Sequence, residues 1–244
     1  MTNKLKGKVA IITGASAGIG RASAIALAEE GASLVLTARS SERLSELEVI
    51  VQKVGGQAIS VIGDAREEET AKKTIAAAIN TYGVLDILIN NVGVGNYKNL
   101  IDTNPADYDE MMDSNVRSTF LFTRFTVPHM IERHSGTILM ISSMAGIYGF
   151  AGEAVYSATK FAQVGFAQSL DKELRPYGIK VGLICPGGVK TEFAIGKGRT
   201  EKGVAESDML EPEDVARAVL LACTQSSGSR IIEVQMRTMD EPLA

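Results

Sequence analysis

The chain has 244 residues, 45% of them hydrophobic and 22% charged, with a formal net charge of −4. That balance belongs to a globular fold, and the length suits one α/β unit without forcing a split. The basic residues are scattered, which excludes an electrostatic footprint for nucleic acid, and no apolar run approaches the ~20 residues of a membrane span.

Lys4, Lys6 and Lys8 precede an apolar stretch, Val9 to Ile12, that is too short for a signal-peptide core and reads as a first strand. Further strands are expected at Leu34–Thr37, Ala58–Ile62, Ile87–Asn90, Thr137–Ile141, Lys180–Ile184 and Ile231–Gln235, short runs suited to burial on both faces. Helices are expected between them at Gly20–Glu30, Ser41–Val54, Glu67–Tyr82, Pro105–Arg133, Tyr156–Arg175 and Glu213–Thr224. Asn104 before Pro105 caps one start, and Glu211-Pro212-Glu213-Asp214 puts acids at the positive end of another helix. His129 and His134 lack metal-ligand spacing and read as helix-end cations. Cys185 and Cys223, in apolar surroundings far apart, are expected to be buried free thiols, which makes a cytoplasmic enzyme the default.

Alternation of this kind defines βαβ units and hence a doubly wound parallel sheet, the Rossmann arrangement, with about seven strands and helices on both faces. No linker or repeat interrupts it, so residues 1–244 read as a single domain. The stretch from Lys190 to Met209, rich in Gly, Lys and Glu, reads as a mobile flap. Its few apolar residues, with Ile147, Tyr148 and Phe150, are the expected substrate wall. Ligands of such sheets lie at the carboxyl ends of the strands.

The motif Thr13-Gly14-Ala15-Ser16-Ala17-Gly18-Ile19-Gly20 follows the first strand and opens the first helix. Gly14 permits the turn off the strand, Gly18 lets the backbone approach a pyrophosphate, and Gly20 lets the helix pack closely, with phosphate on free amides at the helix start. The second strand ends in Thr37-Ala38-Arg39-Ser40, without an acid until Glu42. A carboxylate there would select NAD; Arg39 offers a fork and Ser40 a hydroxyl for a 2′-phosphate, so NADP(H) is the expected cofactor. Asp64, past the third strand, could accept from an adenine amino group or cap the following helix. Asn90-Asn91-Val92-Gly93 ends the fourth strand at the same edge, with Asn90 read as positional.

Tyr156 and Lys160 stand four residues apart on a helix, hence on one face. A free phenol titrates near ~10, and a neighbouring ammonium favours its ionised form, which suits proton exchange with an alcohol oxygen. Ser142 and Ser143 bring hydroxyls to the carboxyl end of the fifth strand, either of which could stabilise charge on a substrate oxygen. Asn115, mid-helix, is an indifferent helix former; a side chain bonded to backbone or ordered water would rationalise it.

The ordered set of Thr13-Gly14-x-x-x-Gly18-Ile19-Gly20, Asn90-Asn91-x-Gly93, Asn115, Ser143, Tyr156-x-x-x-Lys160 and Pro186-Gly187 resembles the standard-length short-chain dehydrogenase/reductase family, from about Lys8 to about Thr191. The resemblance implies Tyr156 as proton donor or acceptor, Lys160 as both its modulator and a ligand of the nicotinamide ribose, and Ser143 rather than Ser142 as the substrate-orienting hydroxyl. It also implies that Asn115 holds a water in a proton relay behind Lys160. Pro186, Gly187, Val189 and Thr191 would surround the nicotinamide carboxamide.

Two departures stand out: Val92 where the family usually has Ala, and a C-terminus, Ile231 to Arg237, without the usual Asp-Gly-Gly. The second weakens a 3-oxoacyl reductase reading and favours a small ketone, aldehyde or hydroxy/oxo acid as substrate. The rivals are a non-catalytic NADP-binding regulator and an epimerase or dehydratase that recycles its cofactor. Both Pro105–Arg133 and Tyr156–Arg175 are more apolar than a monomer surface needs, so a homotetramer or dimer is expected, as the family implies.

Overall fold

The computed structural model describes residues 3–240. Seven strands form one parallel sheet: β1 (Val9–Thr13), β2 (Ser33–Ala38), β3 (Gln57–Ile62), β4 (Ile87–Asn90), β5 (Gly136–Ile141), β6 (Ile179–Pro186) and β7 (Glu233–Met236), in the order β3-β2-β1-β4-β5-β6-β7. Strand order reverses between β1 and β4, which opens a crevice at their carboxyl ends.

Alternate residues of β1 serve opposite faces, as a period of two requires. Ala10 and Ile12 join a core shared with α1 (Gly18–Glu29), α2 (Ser41–Lys53) and α8 (Pro212–Cys223). Val9 and Ile11 join the other core, with α3 (Glu68–Tyr82), α5 (Ser118–Arg133) and α6 (Ala154–Leu174). The doubly wound architecture expected from the alternation is therefore the one observed. Both expected caps form: Asn104 accepts from the Asp107 amide at 2.8 Å, and Asp214 accepts from the Glu211 amide at 2.9 Å.

The main departure falls in the long helix expected over Pro105–Arg133. It is α4 (Pro105–Met112), a single turn of π-helix over Asp113–Arg117, and α5. The extra residue of a π-turn rotates Asn115 relative to a continuous helix, and such turns recur at functional sites. β7 starts two residues later than expected because its ladder opens at Leu183↔Glu233, while Ile231 runs against Gly182, where a Cβ would meet its carbonyl at 2.4 Å. Within residues 190–209 a short helix α7 (Glu201–Ala205) forms behind a Thr200 cap.

Both cysteines are free, but only Cys185 is buried; Cys223 is half-buried at the end of α8. His134 is the left-handed cap of α5 (φ 49°) and lies 6.2 Å from the Tyr177 ring. Among the described residues no helix is long and apolar enough to cross a membrane, and no group of three potential metal ligands occurs.

Asp86 pins the start of the central strands. Buried at 6% exposure, it accepts from the Val9 amide at 3.0 Å and from Lys8 at 3.2 Å, while its carbonyl takes the Thr137 amide. Asp86→Ala leaves the Val9 amide buried without that partner and is expected to lower stability by about 1–3 kcal/mol. Denaturant unfolding checks this; a midpoint equal to wild type would contradict it.

Candidate functional site

A cavity of about 790 Å³ runs along the carboxyl edge of the sheet, within the range of dinucleotide and small-molecule sites. Of the residues singled out from the sequence, Gly14, Ser16, Gly18, Ile19, Arg39, Ser40, Asp64, Asn91, Gly93, Ser143, Tyr156, Lys160, Pro186, Gly187, Val189 and Thr191 line it. Gly20 and Asn115 do not; they act from behind the wall.

The glycine loop is built for close approach. Gly18 has φ +51°, and a Cβ there would meet Thr191 Cγ2 at 2.8 Å. At Gly20 a Cβ would meet the Gly14 carbonyl at 2.4 Å, so this position seats the helix on the loop. Asn91 fixes the loop by donating to the carbonyls of Thr13 (2.9 Å) and Gly14 (3.1 Å), which makes it a brace first. The N-terminus of α1 has neither a side-chain cap nor an acid in its first turn. Its amide donors and positive dipole end therefore suit an anion.

At the end of β2, Arg39 is exposed and has no ion-pair partner among the described residues. The Ser40 hydroxyl caps α2 by accepting from the Arg43 amide at 3.3 Å, which still leaves its own proton to donate. Asp64 does not cap α3, whose cap residue is Glu67. It is instead paired with Arg66 at 2.6 Å, and that hydrogen-bonded guanidinium holds its carboxyl below the usual range. These features fit a pyrophosphate with a phosphorylated ribose beyond it.

Tyr156 sits in the first turn of α6 at 6% exposure, and Ser143 beside it favours the ionised form of its phenol. Ser142 is spent elsewhere: its hydroxyl donates to the Lys160 carbonyl at 3.3 Å. The Ser143 hydroxyl accepts from the Ala145 amide at 3.1 Å and keeps its own proton to donate. Asn90 is positional, donating to Thr123 at 3.0 Å.

The Lys160 ammonium lies 5.6 Å from the Tyr156 ring centroid, but it donates to the Ile141 carbonyl and to Gln163 Oε1, each at 3.0 Å. Burial pulls it down to about 8. Burial pushes the Tyr156 phenol far above its ordinary value; Tyr97 adds to this, while Ser143 and the Arg199 charge oppose it. The expected lowering by Lys160 does not govern the phenol here, because desolvation outweighs the charges around it.

Asn115 is bonded to backbone, one of the two arrangements expected of an amide there. Its side chain pairs with both backbone groups of Val94 (2.7 and 2.9 Å) and with Thr159 (2.9 Å). Its carbonyl, turned by the π-helical segment, accepts from Gln163 Nε2 at 2.9 Å and from Thr119 at 2.8 Å. Gln163 therefore links Lys160 to Asn115. Both carbonyl lone pairs already have protein donors.

Aromatic rings complete the wall. Tyr97 and Phe193 lie 5.6 and 5.8 Å from the Tyr156 ring, and Phe150 lines the same space. Ile147 and Tyr148 do not: both pack on the core, and Tyr148 carries Arg237 over its ring at 5.5 Å. Sequence reasoning missed Tyr97 and Gln163. The signal for Gln163 was an amide three residues after Lys160, on the face of α6 turned inward; Tyr97 follows the Asn-Asn-Val-Gly segment that leads off β4.

The family model described as short chain dehydrogenase matches residues 8–202. An uncharacterized oxidoreductase of Staphylococcus epidermidis is 37% identical over 96% of this chain and 98% of its own. A metagenomic short-chain oxidoreductase in complex with NADP matches at 34% identity and TM-score 0.84, covering 98% of this chain and all of that one. A short chain dehydrogenase from Mycobacterium paratuberculosis bound to NAD matches at 28% identity and TM-score 0.87, covering 96% and 97%. The chain belongs to the short-chain dehydrogenase/reductase family and is an oxidoreductase of that family.

Removing the Gln163 acceptor takes one hydrogen bond from the ammonium form of Lys160, so its pKa falls further. With the ammonium as the working form, the alkaline limb of activity in Gln163→Leu is expected to move to lower pH by on the order of half to one unit, the equivalent of one hydrogen bond. A pH profile of kcat/KM with an unmoved limb would show that Gln163 only fills space.

Proposed function

We propose that this protein is an NADP(H)-dependent oxidoreductase that interconverts a carbonyl and a secondary alcohol, working as a reductase of a small ketone, aldehyde or hydroxy/oxo acid. The observation that carries the reading is the Ser143–Tyr156 pair beside Lys160, at one end of a cavity whose other end holds the unpaired Arg39. When bound, the nicotinamide exchanges a hydride with the reacting carbon.

The residues of this chain supply the rest. Tyr156 gives its proton to the substrate oxygen as the carbonyl carbon is reduced, and takes it back in the reverse direction. Its burial disfavours the phenolate, which suits the acid role. Ser143 orients the substrate oxygen and stabilises the charge that develops there. Lys160, held by Ile141 and Gln163, faces the phenolate left behind and binds the ribose. Pro186, Gly187, Val189 and Thr191 hold the carboxamide end, and residues 190–209 serve as the flap.

Arg39 supports NADP(H) over NAD(H), since a guanidinium rewards a 2′-phosphate by a charge-assisted, two-point contact. The intact Ser143, Tyr156 and Lys160 set favours an enzyme over a regulator, and two free thiols suit a cytoplasmic setting. Assembly into a homotetramer or dimer belongs to the same reading. Phe120 and Phe161 are 49% and 46% exposed on α5 and α6 and invite cover.

In a spectrophotometric panel of small carbonyl compounds, NADPH is expected to be preferred to NADH. Arg39→Asp is expected to reverse that preference by on the order of 10–100-fold, the worth of a charge-assisted hydrogen bond. Tyr156→Phe is expected to bind NADPH normally and lose turnover by on the order of a hundredfold or more. Near-normal turnover in that variant would sink the mechanism. Light scattering at micromolar concentration is expected to give a dimer or tetramer, and a monomer would remove the assembly from the reading.

A further inference from the structure

Charges along the cavity wall cancel in pairs everywhere except at the two ends. Arg43 pairs with Glu192 at 2.7 Å, Arg66 with Asp64 at 2.6 Å and Lys197 with Glu110 at 2.6 Å. Lys160 is committed to Ile141 and Gln163. Two lining cations have no ion-pair partner among the described residues: Arg39 at the phosphate end, and Arg199, supplied by the flap.

Arg199 is half-buried, with its guanidinium carbon 5.5 Å from the Tyr97 ring centroid and 5.8 Å from that of Phe193. Those rings are the two that pack on Tyr156. One guanidinium nitrogen reaches the Val189 carbonyl at 3.5 Å, a long contact that leaves most of its donors uncommitted. A partly desolvated cation over aromatic faces is favourable but incomplete. Its planar fork matches a carboxylate better than any neutral group, and apolar walls strengthen that pairing.

Glu153 lines the same end of the cavity from the start of α6, outside ion-pair distance of Arg199; burial pushes its carboxyl up and the Arg199 charge opposes this.

We infer that Arg199 anchors the substrate, and that the substrate is a small oxo or hydroxy acid whose single carboxylate the guanidinium binds while its reacting oxygen meets Tyr156 and Ser143. This rests on the assignment of Tyr156 as the proton-transfer group. The reaction balances as oxo acid, NADPH and one proton giving hydroxy acid and NADP+. The hydride adds to the carbonyl carbon, and the Tyr156 proton, later replaced from solvent, adds to its oxygen.

The test uses short oxo acids of three to six carbons and their methyl esters, followed through NADPH oxidation in wild type, Arg199→Gln and Arg199→Lys. Wild type is expected to prefer each acid to its ester. In Arg199→Gln that preference falls by on the order of 10–100-fold, mainly through a raised KM for the acid, and Arg199→Lys restores part of it. Equal use of acid and ester by wild type, or an equal loss on both in Arg199→Gln, overturns the anchor and leaves the hydride-transfer reading standing. Calorimetric titration of a short hydroxy acid into the NADP+-loaded protein separates the other case. Acid binding that weakens in Arg199→Gln without turnover of any compound by wild type sinks hydride transfer, whereas acid binding indifferent to the substitution sinks the anchor.

Discussion

Lys160 is 3% exposed, and a charge placed so deep needs acceptors close around it. Its two observed acceptors come from different parts of the chain: the Ile141 carbonyl at the end of β5 and the Gln163 amide one turn further along α6. Gln163 in turn needs the Asn115 carbonyl and the Thr119 hydroxyl, and Asn115 needs both backbone groups of Val94. One buried charge thus joins β5, α6, the π-turn before α5 and the segment after β4. Loss of any member leaves a buried polar group unpaired, which costs more than the bond itself contributes.

The π-turn over Asp113–Arg117 follows from that demand. An uninterrupted helix would spend the Asn115 carbonyl on an ordinary backbone partner, whereas the bulge frees it for side chains of α5 and α6. With Asn115 in place, the chain after β4 is held over the sheet edge, and Tyr97 is carried to within 5.6 Å of the Tyr156 ring. The glycine loop is tied to the same edge through Asn91 and Thr13, so phosphate end and reacting end share one rigid ledge.

How much of this could be read beforehand depended on how local each cause was. The strands were legible because a parallel sheet covered on both faces needs continuous apolar runs, and Asn104 and Asp214 were legible because caps act within three residues. The glycine loop, Arg39 and the Tyr156–Lys160 spacing belong to the same short-range kind. Gln163 and Arg199 do not. A glutamine on a helix gives no sign of being buried until α5 is placed against α6, and an arginine in a flap looks like any solvated cation until Tyr97 and Phe193 are found beneath it. Tyr148 failed for the converse reason: it looked exposed to substrate by sequence neighbourhood, but its ring is covered by Arg237 from the C-terminal segment.

The distribution of charge along the cavity gives the last constraint. Paired ions in the middle cancel one another and cannot select among ligands, while unpaired guanidinium groups at each end can. Between the ends lies the phenol that burial has made a weaker acid, beside an ammonium that burial has made a stronger one. Desolvation therefore moves the two groups apart in proton affinity, the phenol upward and the ammonium downward. In the proposed reaction that separation holds the proton on the phenol until a substrate oxygen takes it, in a dry site that a filled cavity and residues 190–209, which carry Arg199, would enclose.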